Sequence, residues 1–378
     1  MTTPARILMT ADAVGGVWVY AVELARALCE DGYKVMLVAN GPRPRSDQVR
    51  PLRGVRGLEL RVTDLRLEWM DPEGADIERA GDVLLNTADE FRPDIVHLNS
   101  FREAILDWPA PAVVVAHSCV QTWWRACRGG DLSEARWRLY CDRVAAGLSA
   151  ADVWVAPTAA FRDAIVATYH LSNQGRVIRN GLSVCVPTLM KRPVILGAGR
   201  LWDEAKNLAA VVAIASDLPW PIHLAGETRG PDGGRVGTSG GSVKFLGTLP
   251  RPALLDEMGS ASIFVAPALY EPFGLTVLEA GACGCALVLS DLPSLRELWD
   301  DAALFVDPHD RNAIRTALQS LCWDKDLRGG LQAKARSRAS DFSQSAMAGA
   351  YGRLYGEMSA SRMRASARRG NSVMELSA

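Results

Sequence analysis

The amino-terminal forty residues constrain the fold more than any other stretch. Ala5–Met9 is a short apolar run that ends in TADAVGG (10–16). Val17–Cys29 follows, with apolar Val19, Val22, Leu24, Ala25 and Leu28 at helical spacing, and then a second apolar run, Tyr33–Ala39. Strand, glycine loop, helix, strand is a βαβ unit, which joins two parallel strands through a crossover helix. The alternation continues. Leu58–Val62, Asp94–Leu98, Val113–Ala116 and Val153–Ala156 read as strands, with helical segments near 76–91, 131–150 and 158–169. RVIRN (176–180) and Gly181 close this half, and LSVCVPTLMKRP (182–193) reads as an irregular connector.

A second alternating series begins at 194. Strands are expected at 194–198, 222–225, 243–246, 263–266 and 286–290, with helices at 208–216, 254–260, 275–283, 310–323 and 327–340. A helical run near 343–359 precedes a polar, arginine-containing tail, 361–378, expected to be frayed. The fold class expected is α/β, with two doubly wound parallel sheets facing a cleft. A chain of 378 residues is also too long for one ordinary core. Ligands of open α/β sheets sit at the carboxyl ends of strands, which focuses the search for a site.

Composition narrows the class further. Lys plus Arg number 42 and Asp plus Glu 43, a net charge of −1 that argues against a general nucleic-acid binder. The eight cysteines form no C-x-x-C pair, and Cys283 and Cys285 are spaced wrongly for common zinc motifs, so buried free thiols in a reducing cytosol are expected. No signal peptide and no run of about 18 apolar residues is present, so a cytoplasmic protein is expected. No metal site is expected.

Three segments could carry chemistry. Gly15 and Gly16 lie between the first strand and helix, where bare backbone and a helix start suit an anion, though a tight turn explains them equally well. In GRLWDEAKN (199–207), Arg200 and Lys206 follow a strand and can converge on a diphosphate. In YEPFGLTVLEAGACG (270–284), Glu271 lies on a loop and Gly274, Leu275 and Thr276 open a helix with free amides. Glu279 sits on that otherwise apolar helix, where a carboxylate needs hydrogen-bond donors such as sugar hydroxyls.

The run EPFGLTVLEAGACGCALVLSDLPSLRELWDDAALFVDP (271–308) resembles the donor-site signature of family 4 glycosyltransferases, retaining enzymes of GT-B fold. Its pair of glutamates eight positions apart is Glu271 and Glu279. PDIVHLNS (93–100), VVVAHS (113–118), VIRNG (177–181), GRLWDEAKN (199–207) and FLGTLP (245–250) fall in the family's order, so the resemblance spans roughly residues 6–345. The chain departs from the pattern at Arg179, where a proline is usual, and at Ser183, where an acid is common.

The resemblance implies an acceptor domain over 1–185 and a donor domain over 190–342, both Rossmann-like, with a helix at 343–360 returning to the first. It implies transfer from a nucleotide sugar, a UDP-sugar foremost, to an unidentified hydroxyl acceptor, with no metal and no other cofactor. Arg200 and Lys206 would neutralise the diphosphate, Glu279 would bind ribose, and Glu271 would face the transferred sugar. The amides of Gly274, Leu275 and Thr276 would bind sugar or phosphate oxygens, and Gly15 and Gly16 would close on the phosphates. His117 matches a histidine near the reacting sugar, and His97 reads as structural or as a support behind the site. Trp123, Trp124, Trp137 and their neighbouring arginines suit either amphipathic packing around an acceptor pocket or contact with the inner face of a membrane. Asp324-x-Asp326 reads as a solvated helix connection. A nucleotide-sugar epimerase or hydrolase, or a non-catalytic nucleotide-sugar binder, are the alternatives.

Overall fold

The computed structural model describes residues 5–183, 189–230 and 241–375, with side chains as far as 364. Part of the 182–193 connector and most of the glycine-rich 227–242 loop lie outside the described residues. The first half contains β1 (Arg6–Asp12), α1 (Gly16–Glu30), β2 (Lys34–Asn40), α2 (Ser46–Val49), β3 (Leu58–Val62), α3 (Ile77–Phe91), β4 (Ile95–Leu98) and β5 (Ala112–Val115). It continues through α4 (Val120–Arg128), α5 (Arg138–Ala150), β6 (Val153–Ala156), α6 (Ala159–Tyr169) and β7 (Arg176–Val177). The second half contains β8 (Arg192–Ala198), α7 (Leu208–Ala213), β9 (Ile222–Ala225), β10 (Val243–Gly247), α8 (Arg251–Ser260), β11 (Ala261–Ala266), α9 (Leu275–Ala282) and β12 (Ala286–Ser290). Then come α10 (Pro293–Trp299), β13 (Ala303–Val306), α11 (Arg311–Trp323), α12 (Lys325–Ala339) and α13 (Gln344–Glu375).

The strands form two sheets, in the orders β3-β2-β1-β4-β5-β6-β7 and β10-β9-β8-β11-β12-β13, and every pairing is parallel. Central strands such as β12 are buried along their whole length, because helices cover both faces. That coverage is why their sequences are continuous apolar runs rather than alternating ones. Each sheet reverses direction beside its first strand, between β1 and β4 and between β8 and β11. Those two switch points are where a doubly wound sheet leaves a crevice for a ligand. The expected two-sheet α/β architecture is therefore observed.

The elements absent from the sequence reading include β13 and α10. β13 is four residues long, lies at the sheet edge and has half-buried members, so it lacks a strong apolar signal. α10 begins with Pro293, which is tolerated in a first turn although it reads as a breaker. The last helix, α13, returns to the first domain, where Met347, Tyr351, Leu354, Tyr355 and Met358 join its core against α1. It runs on to Glu375, beyond the point where a frayed tail was expected.

Candidate active site

The loop after β1 and the loop after β8 meet. Gly15 caps α1 with φ of 77°, a left-handed conformation that favours glycine, and a methyl group there would sit 3.2 Å from Arg200 Nη1. A methyl on Gly16 would sit 3.4 Å from Leu275 Cδ1 on α9. The two switch points thus face each other, and they bring Gly15, Gly16, Arg200 and Leu275 to one place.

Carboxylates hold both cations at the end of β8. Arg200 donates through Nη2 (2.7 Å) and Nε (3.2 Å) to Asp203 Oδ2. Burial pushes the Asp203 carboxyl up, but the Arg200 charge and hydrogen bonds outweigh it and hold the group below its usual range. Lys206 Nζ lies 2.7 Å from Glu271 Oε2, with both side chains mostly buried. Behind them Gly226 is irreplaceable, since a methyl there would lie 1.7 Å from the Gly199 carbonyl oxygen. Beside Gly226, at the carboxyl ends of β9 and β10, a cavity of about 210 Å³ is lined by Glu227, Thr228, Arg229 and Thr248.

Glu271, Gly274 and α9 are one unit. Ser294 on α10 donates its hydroxyl to the Glu271 carbonyl (2.5 Å), which fixes the loop. Gly274 caps α9, so the amides of Leu275 and Thr276 have no intrahelical partner. Glu279 is buried one turn on. Its donor is Arg251, whose Nε lies 2.7 Å from Glu279 Oε1. Arg251 Nη1 reaches 2.6 Å to Glu23 Oε1 on α1 of the other domain. Burial raises the Glu279 carboxyl, and Arg251 opposes that rise.

His117 follows β5 and packs edge-on against Tyr20 at 4.4 Å. Its Nε2 lies 2.7 Å from Asn99 Oδ1, while Asn99 Nδ2 donates to the Thr10 carbonyl. That orientation of the amide makes Nε2 the protonated nitrogen of His117. Burial lowers its pKa to about 3, so the ring is neutral. His97 is structural: it is buried and lies 2.7 Å from the Tyr355 hydroxyl of α13 and 3.3 Å from that of Tyr20.

The tryptophan- and arginine-rich α4 faces the second domain. Trp123 Nε1 donates to Asp203 Oδ1 (3.2 Å), and Arg128 pairs with Glu204 (2.8 Å) while stacking on Trp124 (4.6 Å). Tyr270, next to Glu271, reaches back and lies 2.9 Å from Thr122 Oγ1. Asp324 caps α12, accepting from Leu327 N at 2.8 Å, which is the helix connection expected of Asp324-x-Asp326. Among the described residues no group of three or more His, Cys, Asp or Glu could hold a metal. No described helix is long and apolar enough to cross a membrane.

Sequence profiles match this arrangement over most of its length: Glycosyltransferase Family 4 over residues 14–184 and Glycosyl transferases group 1 over residues 192–324. The chain belongs to the family 4 glycosyltransferases. This glycosyltransferase is 25% identical to the alpha-maltose-1-phosphate synthase of Mycolicibacterium smegmatis, over 83% of its own length and 88% of that enzyme. It is 31% identical to the O-antigen chain mannosyltransferase B of Escherichia coli, over 41% of its length and only 35% of that protein. Among solved structures, the sucrose-phosphate synthase of Thermosynechococcus elongatus superposes with a TM-score of 0.75 at 19% identity, covering 94% and 100% of the two chains. HepE of Anabaena with UDP-glucose superposes at 0.71 and 15% identity, covering 93% and 99%. Both are GT-B glycosyltransferases, and the fold of this chain is GT-B.

Sequence reasoning missed four residues of the glycosyltransferase's cleft: Asp12, Glu23, Asp203 and Arg251. Asp12 had a readable signal, an acid at the end of the first strand before a glycine pair. It accepts from Val14 N (2.6 Å) and Trp69 Nε1 (3.1 Å), yet burial raises its pKa to about 6. Arg251 and Glu23 carried none, because a lone arginine opening a helix and a glutamate within one are ordinary.

Proposed function

We propose that this enzyme transfers a sugar, with retention of anomeric configuration, from a nucleotide sugar to a hydroxyl acceptor without a divalent metal. A UDP-sugar is the favoured donor. The observation that carries the reading is the meeting of Gly15, Arg200, Lys206 and the α9 amino terminus at two facing switch points. Departure of a nucleoside diphosphate leaves roughly two to three negative charges, by phosphate ionisation. Arg200 and Lys206 bring two positive charges, which Asp203 and Glu271 hold in the free protein and which turn to the phosphates when the donor binds, and the start of α9 adds about half a charge. Cations and amides already positioned at the departing phosphates lower the barrier to departure. Glu279, oriented by Arg251, takes the ribose hydroxyls, and the cavity beside Gly226 takes the base. Glu271 faces the sugar while tied to Lys206, which makes it a poor nucleophile. The acceptor hydroxyl then attacks the anomeric carbon from the face the leaving group vacates, the bond from that carbon to the phosphate oxygen breaks, and the departing phosphate takes the acceptor proton. Neutral His117 lies near the reacting sugar as a hydrogen-bond partner. Solved relatives of this fold bound to UDP and UDP-glucose support the donor class. The free cysteines Cys29, Cys119, Cys127, Cys141, Cys283, Cys285 and Cys322 suit a reducing cytoplasm.

A thermal-shift screen of UDP, GDP, ADP and their sugars tests the reading. One nucleotide and its sugars should raise the melting temperature, and Arg200→Ala should abolish the rise. No shift with any of them would refute the donor assignment.

A further inference from the structure

A second, smaller pocket opens at the carboxyl edge of the first sheet. Its volume is about 40 Å³, and its walls include Asp12, Asn40, Glu68, Asn99, Ser100 and Glu103. That volume holds about three water-sized groups. The ends of β1, β2 and β4 deliver Asp12, Asn40 and Asn99, and the segments after β3 and β4 deliver Glu68, Ser100 and Glu103.

Most of the polar atoms here are engaged. Glu68 accepts from the amides of Phe101 and Arg102, each at 3.0 Å. Glu103 Oε1 accepts from Arg102 Nε at 2.7 Å. Two buried atoms have no partner: Glu103 Oε2 and Ser100 Oγ. The Glu103 side chain is only 7% exposed. A buried carboxylate oxygen without a donor is costly, and a ligand that donates there recovers the cost.

We propose that this pocket binds hydroxyl groups of the acceptor, an uncharged polyol face such as a vicinal diol, through Glu103 and Ser100. The proposal rests on reading the facing cleft as the donor site. Position supports it: Asn99 joins the pocket to His117, and Asp12 lies within the electrostatic reach of Arg200. A phosphate is disfavoured, since Arg102 is consumed by Asp71 and Glu103, and Arg66 at the rim is turned toward Asp71 (3.8 Å). An ammonium group is a poorer match than a hydroxyl. Glu103 Oε2 offers an acceptor, and the Ser100 hydroxyl beside it can donate as well as accept. A hydroxyl uses both kinds of partner and an ammonium only one.

Saturation-transfer NMR on the full chain tests this with glucose, myo-inositol, glucose 6-phosphate and glucosamine. Glucose or myo-inositol should bind saturably, about tenfold tighter than glucose 6-phosphate and no weaker than glucosamine. Ser100→Ala should weaken binding about threefold to tenfold, as expected for one lost hydrogen bond. Ser100→Leu fills the pocket and should abolish binding; Glu103→Gln should weaken it, with circular dichroism confirming that each variant folds. The proposal is overturned if neither polyol binds, if the phosphate or the amine binds tighter, or if Ser100→Leu binds like the parent protein. The UDP, GDP and ADP melting shifts, read on the same samples, separate the two readings. Polyol binding without any nucleotide shift would sink the donor site alone, and the reverse would sink the pocket alone.

Discussion

Replacing Arg251 with Met should leave two buried carboxylates facing each other without a cation. Glu23 and Glu279 are 1% and 6% exposed, and Arg251 bridges them at 2.6 and 2.7 Å across the domain boundary. Removing one partner of a buried ion pair costs about 3–5 kcal/mol, because the remaining charge is uncompensated. Arg251 itself is 31% exposed, so water can enter its place, and about 3 kcal/mol at pH 8 is the reasonable figure. The pH dependence has a definite sign. An unpaired buried carboxyl has its folded pKa raised, so its penalty is absent below the unfolded value near 4.3 and complete above the folded value. The Arg251→Met deficit should therefore be small at pH 4.5 and grow as pH rises toward 8. Urea denaturation followed by tryptophan fluorescence at both pH values reads this directly. Adding Glu23→Gln should recover part of the loss at pH 8. A deficit below about 1 kcal/mol at pH 8, or one independent of pH, would refute the claim that the triad is a charged, buried unit.

Three further outcomes follow from the site. Lys206→Ala should lower turnover on the order of 100-fold, as for one lost transition-state contact, whereas excess EDTA should leave turnover unchanged; restoration of EDTA-killed activity by Mg²⁺ would contradict the charge arithmetic. Glu271→Ala should cut turnover while nucleoside diphosphate affinity holds or rises, because Lys206 loses its competing carboxylate; parallel losses in calorimetry and rate would count against its facing the sugar. Asp12→Asn should stabilise the protein at pH 7.5 by about 1–2 kcal/mol and do nothing at pH 3.5, since a carboxyl with a folded pKa near 6 destabilises only where it ionises; equal melting shifts at both pH values would refute that.

Much of the cleft was legible because its parts are local. Arg200 and Lys206 sit six residues apart on one strand end, and Gly274 to Glu279 occupy one helix start, so spacing alone placed each set. The two-sheet architecture was legible for a related reason. A parallel strand covered on both faces must be continuously apolar, and a crossover helix must be amphipathic, so the alternation of the two patterns carries the topology class. β13 and α10 escaped because an edge strand is half solvated and a proline opens the helix.

Local pattern in the chain thus specifies the strand ends and the residue types offered there. Which of them meet depends on packing between distant segments. Arg251 finds Glu23 across 228 residues and Tyr355 finds His97 across 258. Gly15 meets Arg200 only because two separately folded sheets turn their switch points toward each other. Periodicity reports how one segment buries its own face; it carries no term for the partner that a distant segment presents. Glu279 shows the difference: its helix and its need for a donor are local facts, but the guanidinium that meets that need arrives from another helix.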